Sequence, residues 1–215
     1  MASKHTRDKV LDAAMRLLDV DGPDALQVRR IAAEVGSSTM TVYTHFGSMI
    51  DLRAAIVEEG LARFATELEK AGQTEDPIAD LFAQGVAYRH FALANPHLYR
   101  MMFGVSAPKD DQTDFRDLSD DAAFGFLAGL TERAAADGRV AVPDTIALAA
   151  QIWSAIHGYV LLEMAGFFAH EDEGLIAVLA PLTIALLVGA GDDRERVESS
   201  FQAALTRFAT INAPS

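Results

Sequence analysis

The chain has 215 residues, half of them apolar and 23% charged, with no cysteine and a formal charge of −13. This is length for one or two domains, and enough apolar side chain to bury a core, so a disordered chain is excluded. The absent cysteines exclude a disulfide framework, a thiolate zinc site and a cysteine nucleophile, and the acidity argues against a protein coated in nucleic acid.

Apolar residues recur at helical spacing throughout, and no period-two run of strand length occurs. The expected fold class is all-α. Val10, Ala13, Ala14, Leu17 and Leu18 form one face of a first helix, ending near Gly22-Pro23. A short helix follows over about 28–35, stopped by Gly36. Ser37-Ser38 offers an N-cap for a third helix, about 39–46. Gly47-Ser48 breaks it and caps a long fourth helix reaching about Ala71. Asp76-Pro77 reads as N-cap plus N1 proline for a fifth helix to about Ala94, and Asn95-Pro96 repeats the device for a sixth to about Phe103. Residues 104–117 read as a polar loop. A seventh helix is expected from about Ser119 to Ala136, and an eighth, opened by Pro143-Asp144, to about Ala169. Two more follow, about 174–188 and 193–210. The longest greasy stretch, Leu175 to Ala190, holds Pro181 and is about one turn short of a membrane span, so it reads as a buried helix. No signal peptide is expected, because no apolar run follows Lys4, Arg7 and Lys9. A cytoplasmic protein with no membrane partner is expected.

The charge is uneven. Residues 1–56 hold seven Lys/Arg against seven Asp/Glu, and residues 57–215 hold 11 against 24. An anionic partner should meet the N-terminal quarter. The plainer alternative is that Asp and Glu simply keep the protein soluble.

Residues 28–46 fit two short helices around a tight turn at Gly36, the grammar of a helix-turn-helix. An ordinary helical hairpin inside an all-α core has the same periodicity. Ile31, Ala32, Val35, Val42 and Phe46 supply the faces that hold the pair together. The second short helix offers Thr39, Met40, Thr41, Thr44 and His45. Hydroxyls can bond base edges or phosphates, and Met can contact a thymine methyl. Tyr43 and His45 can donate to phosphate oxygens. Arg29 and Arg30 can reach phosphate or guanine, and Lys4 and Arg7 form a short basic arm.

The fuller pattern of residues 7–56 decides between these. Ile31-Ala32-Ala33-Glu34-Val35-Gly36-Ser37, then Thr41-Val42-Tyr43-Thr44-His45-Phe46, then Ser48 and Leu52, resembles the DNA-binding domain of the TetR family of transcriptional regulators. The resemblance implies a recognition helix over Ser38 to His45, with Tyr43 and His45 on phosphates. Many members carry a Lys at the start of the fourth helix, where this chain has Met49. One phosphate contact is therefore missing, and non-specific affinity should be modest. The expected domains are 1–52, a three-helix helix-turn-helix domain, and 53–215, a helical ligand-binding and dimerisation domain.

For the second domain the resemblance is more local. Trp153, His157 and Gly158 resemble the Trp-x-x-x-His-Gly signature of one TetR C-terminal subfamily, and Asn95 to Phe103 resembles its sixth helix. Trp153 and His157 share a helical face, and Gly158 permits a close approach. Phe82, Tyr88, Phe91, Met101, Met102, Phe124, Leu127 and Phe167 could line a cavity with them, or could simply be core. Such a cavity suits a small apolar or aromatic effector. The resemblance also implies a homodimer paired through the eighth and last helices. The stripes available are Ala149, Ile156 and Val160, and Val197, Phe201, Leu205 and Phe208.

No catalytic constellation accompanies these features. His157 and Glu163 fall about 240° apart around a helix, and His170 adds no partner. No Glu-x-x-His pair, phosphate-cradling glycine loop or Gly-x-Ser-x-Gly elbow is present, and the doublets Asp110-Asp111 and Asp192-Asp193 read as solvated caps. No enzyme, metal or cofactor is expected. The reading is a ligand-responsive regulator, a repressor released from a palindromic operator in double-stranded DNA. The alternative is a helical small-molecule-binding protein without operator function.

Overall fold

The computed structural model describes residues 2–103, 122–168 and 172–211, and the side chains of these except residues 2–4, 122 and 208–211. The side chains of Lys4 and Phe208, the loop 104–117, the helix start at Ser119, Asp110-Asp111 and His170 therefore lie outside the described residues. Among the described residues all regular structure is helical, in ten α-helices. They are α1 (Ala2–Asp21), α2 (Val28–Glu34), α3 (Thr39–Phe46), α4 (Met49–Lys70), α5 (Pro77–Ala94), α6 (Pro96–Phe103), α7 (Ala122–Ala136), α8 (Thr145–Met164), α9 (Ala180–Gly189) and α10 (Arg194–Ile211). A 3₁₀ turn at Pro23–Ala25 and a π turn at Leu175–Leu179 complete the set.

The described residues form two compact units. The first joins residues 2–63 to 94–103, so α6 packs on α1. Its core is Val10, Ala13, Ala14, Leu18, Ile31, Val42, Leu52 and Ile56, each at most 1% exposed. Of the other positions that the helical periodicity assigns to the first three helices, Leu17, Ala32 and Phe46 are also buried and Val35 is half-buried. The second unit joins 64–93 to 122–168 and 172–211. Its core runs through Ile78, Leu81 and Phe82 of α5, Leu130 of α7, Leu148 and Ile152 of α8, Leu187 of α9, and Val197 and Phe201 of α10.

The expected caps at Asp76 and Asp144 form. Asp76 Oδ1 accepts the amides of Ile78 and Ala79 at 3.0 and 3.2 Å, and Asp144 Oδ1 accepts that of Ala147 at 2.9 Å. A cap of this kind stabilises its helix by about 0.5–2 kcal/mol.

Three boundaries differ from expectation. α8 ends at Met164, short of Ala169. The amides of Gly166 and Phe167 fold back onto the carbonyls of Glu163 and Leu162, and Gly166 takes φ +88°, which terminates the helix. The expected single helix from Gly174 is a π turn followed by α9. Pro181 cannot donate to the carbonyl four residues back, so the ladder widens ahead of it. Finally, α1 already runs from Ala2, because nothing before Val10 breaks a helix, so the expected basic arm is part of α1.

A buried ion network ties the second unit together. Arg139, 7% exposed, binds Asp192 through Nε and Nη2, Asp76 through Nη1 and Ser200 through Nη2. Asp80, 1% exposed, accepts from Thr74, Arg133 and Arg207. Asp192 is thus a buried partner of Arg139, not the solvated cap that its position in a loop suggests. Asp193 does cap α10, accepting the Arg196 amide at 3.0 Å. Burial works to raise the Asp76 and Asp80 carboxyls. It is outweighed by the Ser200, Ala79, Ile78 and Arg139 contacts at Asp76 and by the Thr74, Arg207 and Arg133 contacts at Asp80, and both sit below the ordinary value.

Candidate nucleic-acid interface and effector cluster

The turn between α2 and α3 is built by three residues. Gly36 takes φ +63°, the left-handed region that a side chain resists. Its amide and that of Ser37 return to the carbonyls of Ala33 and Ala32 at 3.1 and 2.9 Å, closing α2. Ser38 then opens α3, its Oγ accepting the Thr41 amide at 3.3 Å. Inward, Ile31, Ala32, Val42 and Phe46 are buried, with Ala32 at 3% exposure. Their burial fixes the rotation of α3 and so decides which residues face out.

The outward set divides in two. Arg29, Thr39, Tyr43 and His45 engage no side-chain partner among the described residues, and Met40 is 70% exposed. The others are already engaged. Ser37 Oγ donates to Thr41 Oγ1 at 2.7 Å, and Thr44 Oγ1 donates to the Met40 carbonyl at 2.8 Å. Arg30 is ion-paired with Asp21. Arg7, expected as a flanking anchor, lays its guanidinium 4.8 Å from the centre of the Phe46 ring. Sequence spacing gives no sign of the last two contacts, which join α2 and α3 to α1. After Gly47, Ser48 Oγ donates to Asp51 Oδ2 at 2.7 Å and accepts the Asp51 amide at 3.1 Å, a reciprocal cap that places a carboxylate at the start of α4.

In the second unit, α5 and α8 bring three expected ligand residues together. Tyr88 Oη lies 3.1 Å from His157 Nδ1 and accepts the Trp153 Nε1 proton at 3.3 Å. Phe124 meets Trp153 edge-on at 6.0 Å, and Leu127 packs beside them. Phe64, absent from the expected set, packs against Tyr88 and Phe91 with centroids 4.9 and 5.0 Å away. The other candidates lie elsewhere. Phe82 packs on Phe201 in the main core. Met101 and Met102 belong to α6 and the first unit, and Phe167 is 73% exposed. A Cβ at Gly158 would meet nothing within 4 Å, so none of the described residues makes a close approach there.

Six residues beyond His157, Glu163 binds Arg89 through Nε at 2.9 Å and Nη2 at 2.8 Å, and Arg89 Nη1 also meets Asp172 at 2.8 Å. Tyr159 donates to the same carboxylate at 3.2 Å. Burial and then the Glu163 charge push the Tyr159 phenol up to about 12. His157 and Glu163 thus serve neighbouring residues of α5, Tyr88 and Arg89, and do not form a pair. Among the described residues no group of three or more His, Asp or Glu could hold a metal.

Of the residues expected at a dimer interface, those whose side chains are described pack within the chain itself. Ala149, Val160 and Val197 are 0% exposed, Ile156 and Phe201 are 7% and 8%, and Leu205 packs on the main core. The exposed large apolar side chains of the second unit lie mostly between residues 161 and 182: Leu161, Leu162, Phe167, Ile176, Val178 and Leu182.

Comparison with known proteins adds the following. Residues 10–56 match the family described as bacterial regulatory proteins, tetR family, and residues 81–185 match the tetracyclin repressor-like C-terminal domain. An uncharacterized HTH-type transcriptional regulator of Mycobacterium tuberculosis is 28% identical over 187 residues, covering 87% of this chain and 82% of that protein. A protein of unknown function from Rhodococcus sp. RHA1 shares the fold with a TM-score of 0.72 at 24% identity, covering 87% of this chain and 96% of the other. RolR in complex with its ligand resorcinol superposes with a TM-score of 0.67 at 13% identity, covering 93% and 94%.

Proposed function

The chain belongs to the TetR family of transcriptional regulators, which are not enzymes, and from that premise we propose that it is a cytoplasmic homodimeric repressor, released from a palindromic operator by a small apolar or aromatic effector. Residues 1–52 read the DNA, and residues 53–215 hold the effector and the partner copy. The observation that carries this reading is the capped, glycine-turned pair α2 and α3, which leaves Arg29, Thr39, Met40, Tyr43 and His45 outward and unengaged. Thr39, Met40 and Thr44 face base edges, Arg29 reaches guanine, and Tyr43 and His45 hold phosphates. Ser38, Thr41, Arg30, Lys4 and Arg7 support the same face.

The effector reading rests on Tyr88, Trp153, His157 and Phe124, an aromatic cluster with hydrogen-bonding groups at its centre, in a C-terminal domain of the Trp-x-x-x-His-Gly type. RolR's ligand resorcinol belongs to the same chemical class. For dimerisation, the exposed apolar residues between 161 and 182 supply the surface that the buried stripes do not. In a dimer the two copies of α3 must enter successive major grooves about 34–36 Å apart, which demands a palindrome. Selection of bound duplexes from a randomised pool tests the reading. A two-fold symmetric sequence should be enriched, and recovery of unrelated duplexes would refute it.

A further inference from the structure

The second unit also carries a cleft of about 270 Å³ between the end of α4, the first half of α5 and α7. None of Tyr88, Trp153 and His157 lines it. Its apolar wall is Leu68, Phe126 and Leu130. Gln84 of α5 lines it too, and is only 8% exposed. The Gln84 side chain has no hydrogen-bond partner among the described residues, whereas every fully buried side-chain nitrogen or oxygen among them does have one. Its amide is therefore not sealed into the core, and the cleft is the space it reaches.

The charges around the cleft cancel. Arg133 and Arg207 bring two positive charges to Asp80, at 3.1 and 3.0 Å. Arg207 also donates to the carbonyl of Gly72 in the cleft wall at 3.2 Å. Asp80 and Glu69, which both line the cleft, supply two negative charges. A charged ligand would leave water for a place with no net counter-charge, and a neutral one carries no such cost. Selection is left to the apolar wall and the unpaired amide of Gln84. That amide sets an N–H donor beside a C=O acceptor. Its complement is another donor beside an acceptor, as in a primary carboxamide or a lactam, which closes two hydrogen bonds at once. An ester offers acceptors only. An open-chain secondary amide is trans and turns its donor and acceptor to opposite sides.

We propose that this cleft is a second small-molecule site, separate from the Trp153 cluster, which takes a neutral molecule with a primary amide or lactam edge on an apolar body. The amide edge pairs with Gln84, and the body covers Leu68, Phe126 and Leu130. The inference stands whether or not the chain reads an operator.

The test uses the full chain with labelled leucine methyl groups and indole nitrogen, followed by nuclear magnetic resonance. The probes share one apolar body: 3-phenylpropanamide, methyl 3-phenylpropanoate, anionic 3-phenylpropionate and cationic 3-phenylpropylammonium. The amide should saturably shift the Leu68 and Leu130 methyl signals and leave the Trp153 indole unmoved. It should bind about threefold to tenfold more tightly than the ester, the effect of one further hydrogen bond, and more tightly than either ion. Gln84→Leu should bring the amide down to the level of the ester. The preference for amide over ester in the wild type tests the proposal even if that variant does not fold. Equal affinity for amide and ester in the wild type, tighter binding of either ion, shifts centred on Trp153, or an amide preference that survives Gln84→Leu would overturn the proposal.

Discussion

Tyr88 Oη stands 3.1 Å from His157 Nδ1, and this one phenol also accepts from the indole of Trp153 at 3.3 Å. A residue of α5 thus fixes two residues of α8 that share a helical face. Tyr88→Phe removes both contacts and keeps the ring against Phe64. Stability should fall by about 1–3 kcal/mol, because the indole and imidazole lose a partner in a half-buried site. Trp153 is the only tryptophan, so its emission should shift in the variant while far-ultraviolet dichroism stays helical. Unchanged emission and an unchanged urea midpoint would contradict this.

Acid should loosen the second unit through Asp80. Its folded-state carboxyl lies below the ordinary 3.8 despite burial, so the unfolded chain takes up its proton first. The stabilisation is complete above about pH 4 and is lost as pH falls through the depressed folded value. Asp80→Asn leaves Arg133 and Arg207 without their carboxylate and should cost roughly 3–5 kcal/mol at pH 7. The gap between wild type and variant should narrow below pH 4. Urea unfolding at pH 7 and pH 3 measures it, and an equal gap at both would contradict the assignment.

The dimer face separates from the core by mutation. Leu182→Asp changes an exposed residue and should leave the thermal midpoint near that of wild type while sedimentation shows a monomer. Phe201→Asp places a charge in the main core and should unfold the second unit. A Leu182→Asp protein that still sediments as a dimer would exclude this face.

Much of the fold is legible in the sequence. Helix starts at Asp76 and Asp144, and the turn at Gly36 and Ser38, follow from local chemistry, where one residue supplies the cap or the left-handed angle. The site was less legible, because its geometry is set by partners distant in sequence. Nothing in the spacing of Arg30 or Arg7 shows that Asp21 and Phe46 await them. An amphipathic stripe such as Val197, Phe201 and Leu205 shows that something covers it, and the covering turns out to be the same chain. Asp192 carried the same ambiguity, since a loop aspartate looks solvated until Arg139 is found 53 residues away.

Different roles on α2 and α3 predict different binding defects. Arg29→Ala should cost about 1–3 kcal/mol per half-site and relax preference at one base pair, as expected of a bidentate guanine contact. Tyr43→Phe should weaken operator and random duplex alike, as loss of a phosphate contact does. Competition binding with single-base operator variants distinguishes them. Equal loss on both duplexes for Arg29→Ala would reduce Arg29 to a phosphate contact.

Fluorescence anisotropy of the wild-type chain on the selected palindrome and on a scrambled duplex of the same composition, at physiological salt, tests the repressor account most directly. The palindrome should bind at least about a thousandfold more tightly. The salt dependence should be shallow, since Met49 stands where a lysine would neutralise a phosphate. Equal affinity for the two duplexes would contradict the account.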